Sequence, residues 1–113
     1  MNTPLSEQTC EPCRLGSRPL PIDEIRRLLL SVPRWKNIQV DGEERIRRDY
    51  HFADFAGAFV FATAVAELAE QHNHHPLLEV EWGRVGVTWW THKINGLHQN
   101  DFIMAAKTDL LAD

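Results

Sequence analysis

Five of the six histidines in the chain, His72, His74, His75, His92 and His98, fall in one stretch near its C-terminal end. Imidazole has the ordinary side-chain pKa nearest neutrality, so such a group can give and take protons at physiological pH or ligate a metal. The densest part reads Glu70-Gln71-His72-Asn73-His74-His75-Pro76. His74 and His75 are neighbours whose side chains must diverge, so they cannot share one role. Pro76 fixes its own φ and pushes His75 out of the helical region, which gives the pair a defined exit angle. Taken alone, a histidine at a helix end is most often a cap that complements the dipole, and His92 alone reads as a surface residue. Those readings do not explain why a rigid HHP corner should meet another histidine. Metal binding by His72, His74, His75 and His92 is the competing chemistry. It lacks a thiol or carboxylate partner fixed nearby in sequence.

The elements that must position these residues can be read in order. Pro21, Asp23 and Glu24 open a helix whose Ile22, Ile25, Leu28 and Leu29 share a side, ending before Pro33. Trp35 to Val40 reads as a strand, Asp41-Gly42 as a turn, and Glu44 to Phe52 as a second strand of alternating character. Arg45, Arg47 and Arg48 are expected on a solvated strand face, since no wider basic patch supports nucleic-acid binding. A long helix over 54–73 should bury Phe55, Phe59, Ala62, Ala66 and Ala69, flanked by Ala58, Phe61, Val65 and Leu68. Glu70 lies at the rim of that face, and Asn73 and Pro76 stop the helix. Leu77 to Trp82 and Val85 to Thr91 form a hairpin about Gly83-Arg84, with His92 closing its second strand. The start of one strand then lies beside the end of the other, which brings His74, His75 and His92 to one end of the sheet. A final helix over Gln99 to Leu111 carries Asp101 in its first turn and packs through Phe102, Ile103, Ala106 and Leu110. The order α-β-β-α-β-β-α specifies an α+β sandwich, its sheet antiparallel or mixed and covered on one face.

At 113 residues the chain is one domain with an ordinary composition, 43% hydrophobic and 25% charged. A net charge of −4 argues against a general nucleic-acid binder. No apolar run approaches the ~20 residues that span a bilayer, and Met1 to Gln8 show no secretory pattern, so the cytoplasm is expected. Residues 1–21 hold four of the six prolines and the only cysteines, Cys10-Glu11-Pro12-Cys13. They read as a flexible or surface-draped N-terminal arm ahead of a domain over 22–113, its cysteines reduced and without a catalytic role.

Glu70, His74-His75-Pro76, Thr91-His92, Gly96-Leu97 and Asp101, in this spacing, resemble the signature of the pterin-4a-carbinolamine dehydratases. The likeness extends to Trp35, to the Tyr50-His51-Phe52-Ala53-Asp54-Phe55 entry of the long helix, and to the Ala-containing final helix, covering about residues 22–111. The resemblance implies a single-domain, two-layer α+β sandwich with a four-stranded antiparallel sheet backed by helices. It also implies homo-oligomers, dimers or tetramers, built through sheets or helices. The implied reaction is dehydration of 4a-hydroxytetrahydrobiopterin to quinonoid dihydrobiopterin and water, with no metal or organic cofactor. That step recycles the pterin spent by aromatic amino-acid hydroxylases such as phenylalanine hydroxylase.

By the same resemblance His74, His75 and His92 are the catalytic acid–base and binding set, with His75 and His92 essential. Glu70, Asn73, Pro76, Thr91 and Asp101 are the substrate-binding or supporting residues. Glu70, one turn before His74, is expected to orient it. Asp101 reads equally as a helix-capping acid. The residue before the last helix, usually a hydroxyl in the family, is His98 here, which weakens the expected cap. Family members in animals also act as dimerisation cofactors of a homeodomain transcription factor. A non-enzymatic partner of a regulator is therefore the second alternative beside the metal-binding one.

Overall fold

The computed structural model of the chain describes residues 3–10 and 18–112. Two tight reversals organise the sheet. Asp41 and Gly42 take positive φ (53° and 80°) between β1 (Lys36–Val40) and β2 (Glu43–His51), and Gly83 (φ 75°) turns β3 (Leu77–Glu81) into β4 (Arg84–Trp89). The two hairpins join through their second strands, giving the order β1-β2-β4-β3, antiparallel throughout. Between them runs α2 (Phe55–His72), with α1 (Ile22–Leu29) before and α3 (Gln99–Leu111) after. This is the expected α+β sandwich, and the mixed alternative is excluded. Among the described residues no helix is long and apolar enough to cross a membrane.

The core lies where α2 and α3 cover one face of the sheet. Ile46, Tyr50, Val85, Val87 and Trp89 from the strands join Ala58, Phe61, Ala62, Val65 and Ala69 from α2 and Phe102, Met104 and Ala105 from α3 in one buried cluster. Here the expected α2 stripe is corrected. Phe55 and Phe59 are 48% and 56% exposed and stack on each other outside, with ring centroids 6.0 Å apart. The helix is turned so that Phe61 meets Tyr50 and Phe52, at 4.6 and 5.2 Å between ring centroids, while alanines on the same side allow a close approach. Aromatic pairs of this kind outweigh a small gain in apolar periodicity. Likewise α3 buries Met104, Ala105 and Thr108, and Leu110 faces solvent.

Arg48 departs from the solvated face expected of the β2 arginines. Arg48 points to the helix side, where Asp109 Oδ1 accepts from its Nη1 at 2.6 Å, from Trp35 Nε1 at 3.0 Å and from the Tyr50 hydroxyl. Burial, and then this hydrogen bond to Asp109, hold the Tyr50 phenol above its ordinary pKa. On the other face, Arg47 Nη2 and Arg84 Nη1 both reach Asp49 Oδ1 at 2.8 Å, with Arg47 also on Glu79 and Arg84 on Glu81. These side chains cross β4 over Gly86, where a Cβ would stand 2.6 Å from Arg47 Nη2 and 2.8 Å from Arg84 Nη1. Gly86→Val would push these flexible guanidinium ends aside and break their exposed ion pairs, which contribute about 0–1 kcal/mol, so stability should change by less than about 1 kcal/mol. A urea unfolding midpoint displaced by the equivalent of several kcal/mol would contradict this.

Residues 3–10, part of the expected arm, lie against α3. Leu5 is buried in a 3-10 turn (Leu5–Glu7), and Lys107 Nζ donates to the Ser6 carbonyl at 2.9 Å. The Leu20 amide donates to the Leu97 carbonyl at 2.8 Å. Of the two cysteines, Cys13 lies outside the described residues. Burial, then the Asp101 charge, push the Cys10 thiol up to about 11, so at neutral pH it is not the thiolate that redox or metal chemistry needs.

Candidate functional site

The C-terminal end of α2 delivers the first two histidines, and its geometry follows from one residue. Asn73 takes the left-handed conformation (φ 51°, ψ 42°), which asparagine tolerates better than most side chains. The His74 amide then closes on the Ala69 carbonyl at 3.1 Å, ending the helix. Beyond this reversal the imidazoles separate. His74 turns inward, its side chain 13% exposed, while His75 stays at the surface. Glu70 pairs with His75 Nε2 and not with His74, contrary to expectation, because the turn at Asn73 carries His75 back over the last turn of α2. Asn73 and Pro76 shape this corner through their backbones.

His74 finds its partner across the molecule. Its Nε2 lies 2.6 Å from Asp101 Oδ1 at the start of α3, and its ring stacks on buried Trp89, centroids 5.6 Å apart and planes 6° from parallel. The second carboxylate oxygen accepts from Thr91 Oγ1 at 2.8 Å and from the His98 amide at 2.9 Å. Asp101 is fully buried, and an acceptor-only carboxylate matches these donors on both its oxygens. The two readings of Asp101 are thus joined in one side chain, which caps α3 and anchors His74. His98 caps as well. Its Nδ1 accepts from the Asn100 amide at 3.0 Å, so imidazole serves where a hydroxyl was expected.

Thr91 carries this anchor to the third histidine. The strand ends at Trp89, and Thr91 pairs with Gly96 as an isolated bridge. His92 therefore does not close β4, as its alternation suggested, but opens a short 3-10 turn (His92–Ile94). A hydrogen-bonded run links His74, Asp101 and Thr91, and His92 follows next in the chain. The pairing of Leu77 with Thr88 sets the start of β3 beside the end of β4. By this route one end of the sheet holds His74, His75, His92, Glu70, Thr91 and Asp101.

Exposure divides the histidines. His75 and His92 are exposed, whereas His74 has its Nε2 committed to a buried carboxylate. The first two present their rings to solvent, and the third is held against Trp89 and Asp101. Trp89 backs the His74 ring and Trp90 the His92 ring, and the signal that points to them is their position directly before Thr91 and His92. His72 lies on the last turn of α2, and burial, then Lys107, lower its pKa. Among the described residues no three or more His, Cys, Asp or Glu side chains are gathered as a metal cage.

Residues 18–111 match the family model described as Pterin 4 alpha carbinolamine dehydratase. A protein of Microcystis aeruginosa, provisionally named a pterin-4-alpha-carbinolamine dehydratase, is 50% identical over 107 residues, or 95% of this chain and 92% of its own. A protein of Saccharophagus degradans under the same provisional name is 50% identical over 109 residues, 96% of each chain. Among solved structures, a transcriptional coactivator/pterin dehydratase from Brucella melitensis superimposes with a TM-score of 0.76. It is 36% identical, over 85% of this chain and 100% of that one. A pterin dehydratase-like protein identified as a RuBisCO assembly factor in the alpha-carboxysome shares the fold, with a TM-score of 0.59, 22% identity and coverage of 69% and 88%.

Proposed function

Since the chain belongs to the pterin 4 alpha carbinolamine dehydratase family, we propose that it dehydrates 4a-hydroxytetrahydrobiopterin or a close pterin congener. The observation that carries this reading is the run from His74 through buried Asp101 to Thr91, which ties the HHP corner to the residue before His92. In the reaction the C4a–O bond breaks as a proton reaches the leaving hydroxyl. N5 loses its proton, the C4a=N5 bond forms, and water departs. Side chains titrating near neutrality serve both transfers, each contributing about 10²–10⁴-fold. His75, paired with Glu70, and His92 are the exposed imidazoles and take the acid and base roles. His74, held on Asp101 and Trp89, binds and orients the pterin, with Thr91 beside it. The reading needs no metal or organic cofactor.

The product would be quinonoid dihydropterin for reuse by an aromatic amino-acid hydroxylase such as phenylalanine hydroxylase, a cytoplasmic task. Homo-oligomerisation belongs to the same proposal, supported by the outward Phe55, Phe59 and Val60 on α2. Sedimentation velocity at micromolar concentration should show a dimer or tetramer, and a lone monomer would remove that part. The proposed reaction is tested by stopped-flow decay of the 4a-carbinolamine. Faster decay with catalytic amounts of the protein is expected; a rate equal to the buffer control would overturn the assignment.

A further inference from the structure

His92 is gripped from β2 by a group of residues that the proposed reaction does not use. The guanidinium of Arg45 lies over the Trp90 ring, 3.8 Å from its centroid, and the Trp90 ring lies against the His92 imidazole, centroids 4.5 Å apart. Arg45 is fixed in turn by Glu43, whose Oε1 accepts from Arg45 Nη2 at 3.1 Å. With the Asn95 side-chain amide assigned so that its nitrogen, not its oxygen, faces the surrounding acceptors, that nitrogen donates to the other oxygen of the same carboxylate, Oε2, at 3.1 Å. That amide also donates to the His92 carbonyl at 3.3 Å. Asn95 holds the left-handed conformation (φ 53°) that ends the 3-10 turn. One carboxylate therefore reaches His92 twice, through Arg45 and Trp90 to its ring and through Asn95 to its backbone. Arg45 and Trp90 are both mostly covered, although both lie on the sheet face that the helices leave open.

A planar guanidinium over an indole is favourable by cation–π attraction and shape, and a lysine ammonium does not reproduce it. His92 itself is exposed and begins a turn of only three residues, so little else in its own element restrains its ring. We propose that Glu43 and Arg45 are positioning residues for His92, a clamp that acts through Asn95 and Trp90. The inference rests on the dehydratase reading for its kinetic consequence, but not for the clamp itself.

The test combines kinetics with ¹³C relaxation of the His92 imidazole in Arg45→Met and in Glu43→Gln, which keeps its shape if the first variant folds poorly. Misplacing a reacting group by about 1 Å can cost up to ~100-fold, so kcat per folded molecule should fall about tenfold or more in Arg45→Met. KM should stay within about twofold, since no substrate contact is removed. The His92 ring should gain motion in both variants. Arg45→Met added to His92→Ala should cost nothing further, because the group it positions is already gone. Wild-type kcat, unchanged ring relaxation, or an additive loss in the His92→Ala background would each overturn the clamp. If the wild type proves inert toward the carbinolamine, the proposed function fails and ring relaxation alone decides the clamp.

Discussion

Asp101→Ala is expected to destabilise the protein by about 3–5 kcal/mol, because it removes a fully buried carboxylate that three neighbouring groups hydrogen-bond. The substitution leaves His74 Nε2, in the loop after α2, and Thr91 Oγ1 and the His98 amide, in the segment between β4 and α3, without their acceptor. Each deserted buried donor would cost roughly 1–3 kcal/mol alone, but one relaxation can relieve several, so the sum is not additive. Asp101→Asn keeps the shape and one acceptor oxygen and should lose less. For a domain of this size each kcal/mol is worth about 4–8 °C in Tm, so the alanine variant should melt far below the wild type. Carbinolamine turnover should fall in both variants, because His74 loses its fixed orientation. Calorimetry beside the kinetic assay checks both parts, and an Asp101→Ala protein as stable as the wild type would show that Asp101 does not anchor the site.

The exposed histidines should behave in the opposite manner. His92→Ala and His75→Ala remove side chains that hold little of the core, so stability should stay within about 0.5 kcal/mol of the wild type. Turnover should nevertheless fall by about 10²–10⁴-fold in each, the range for loss of a general acid or base. His74→Ala should show both effects, since it is paired with buried Asp101 and stacked on Trp89. This split between exposed and anchored imidazoles distinguishes a proton-transfer site from a packing cluster. Full activity in His75→Ala or His92→Ala would remove that residue from the mechanism.

Much of this site was legible because it is local. The stop signals at Asn73 and Pro76, the hairpin about Gly83 and the short span from Thr91 to Asp101 all lie within a few residues of what they control. Residues distant in sequence were harder. The His74–Asp101 contact joins α2 to α3, and nothing in either helix states which oxygen of a capping aspartate will be left for a partner. Glu70 and His74 stand one turn apart on an ideal helix, yet the left-handed Asn73 ends the helix before that geometry applies. The face of α2 was set by Phe61 meeting Tyr50 and Phe52, partners on another element, and a periodicity count is blind to them. Charge groups Arg48 with Arg45 and Arg47, although alternation sets it with buried Ile46 and Tyr50 on the covered side, where it meets Asp109.

The central claim is that His74, His75 and His92 line one pterin site. The most direct test is a titration of the ¹³C-labelled histidine rings by NMR with a dihydropterin analogue of the product. The three ring signals should shift together along one saturation curve, while His51, at the opposite end of β2, stays still. Shifts confined to a single histidine, or centred on His51, would contradict it.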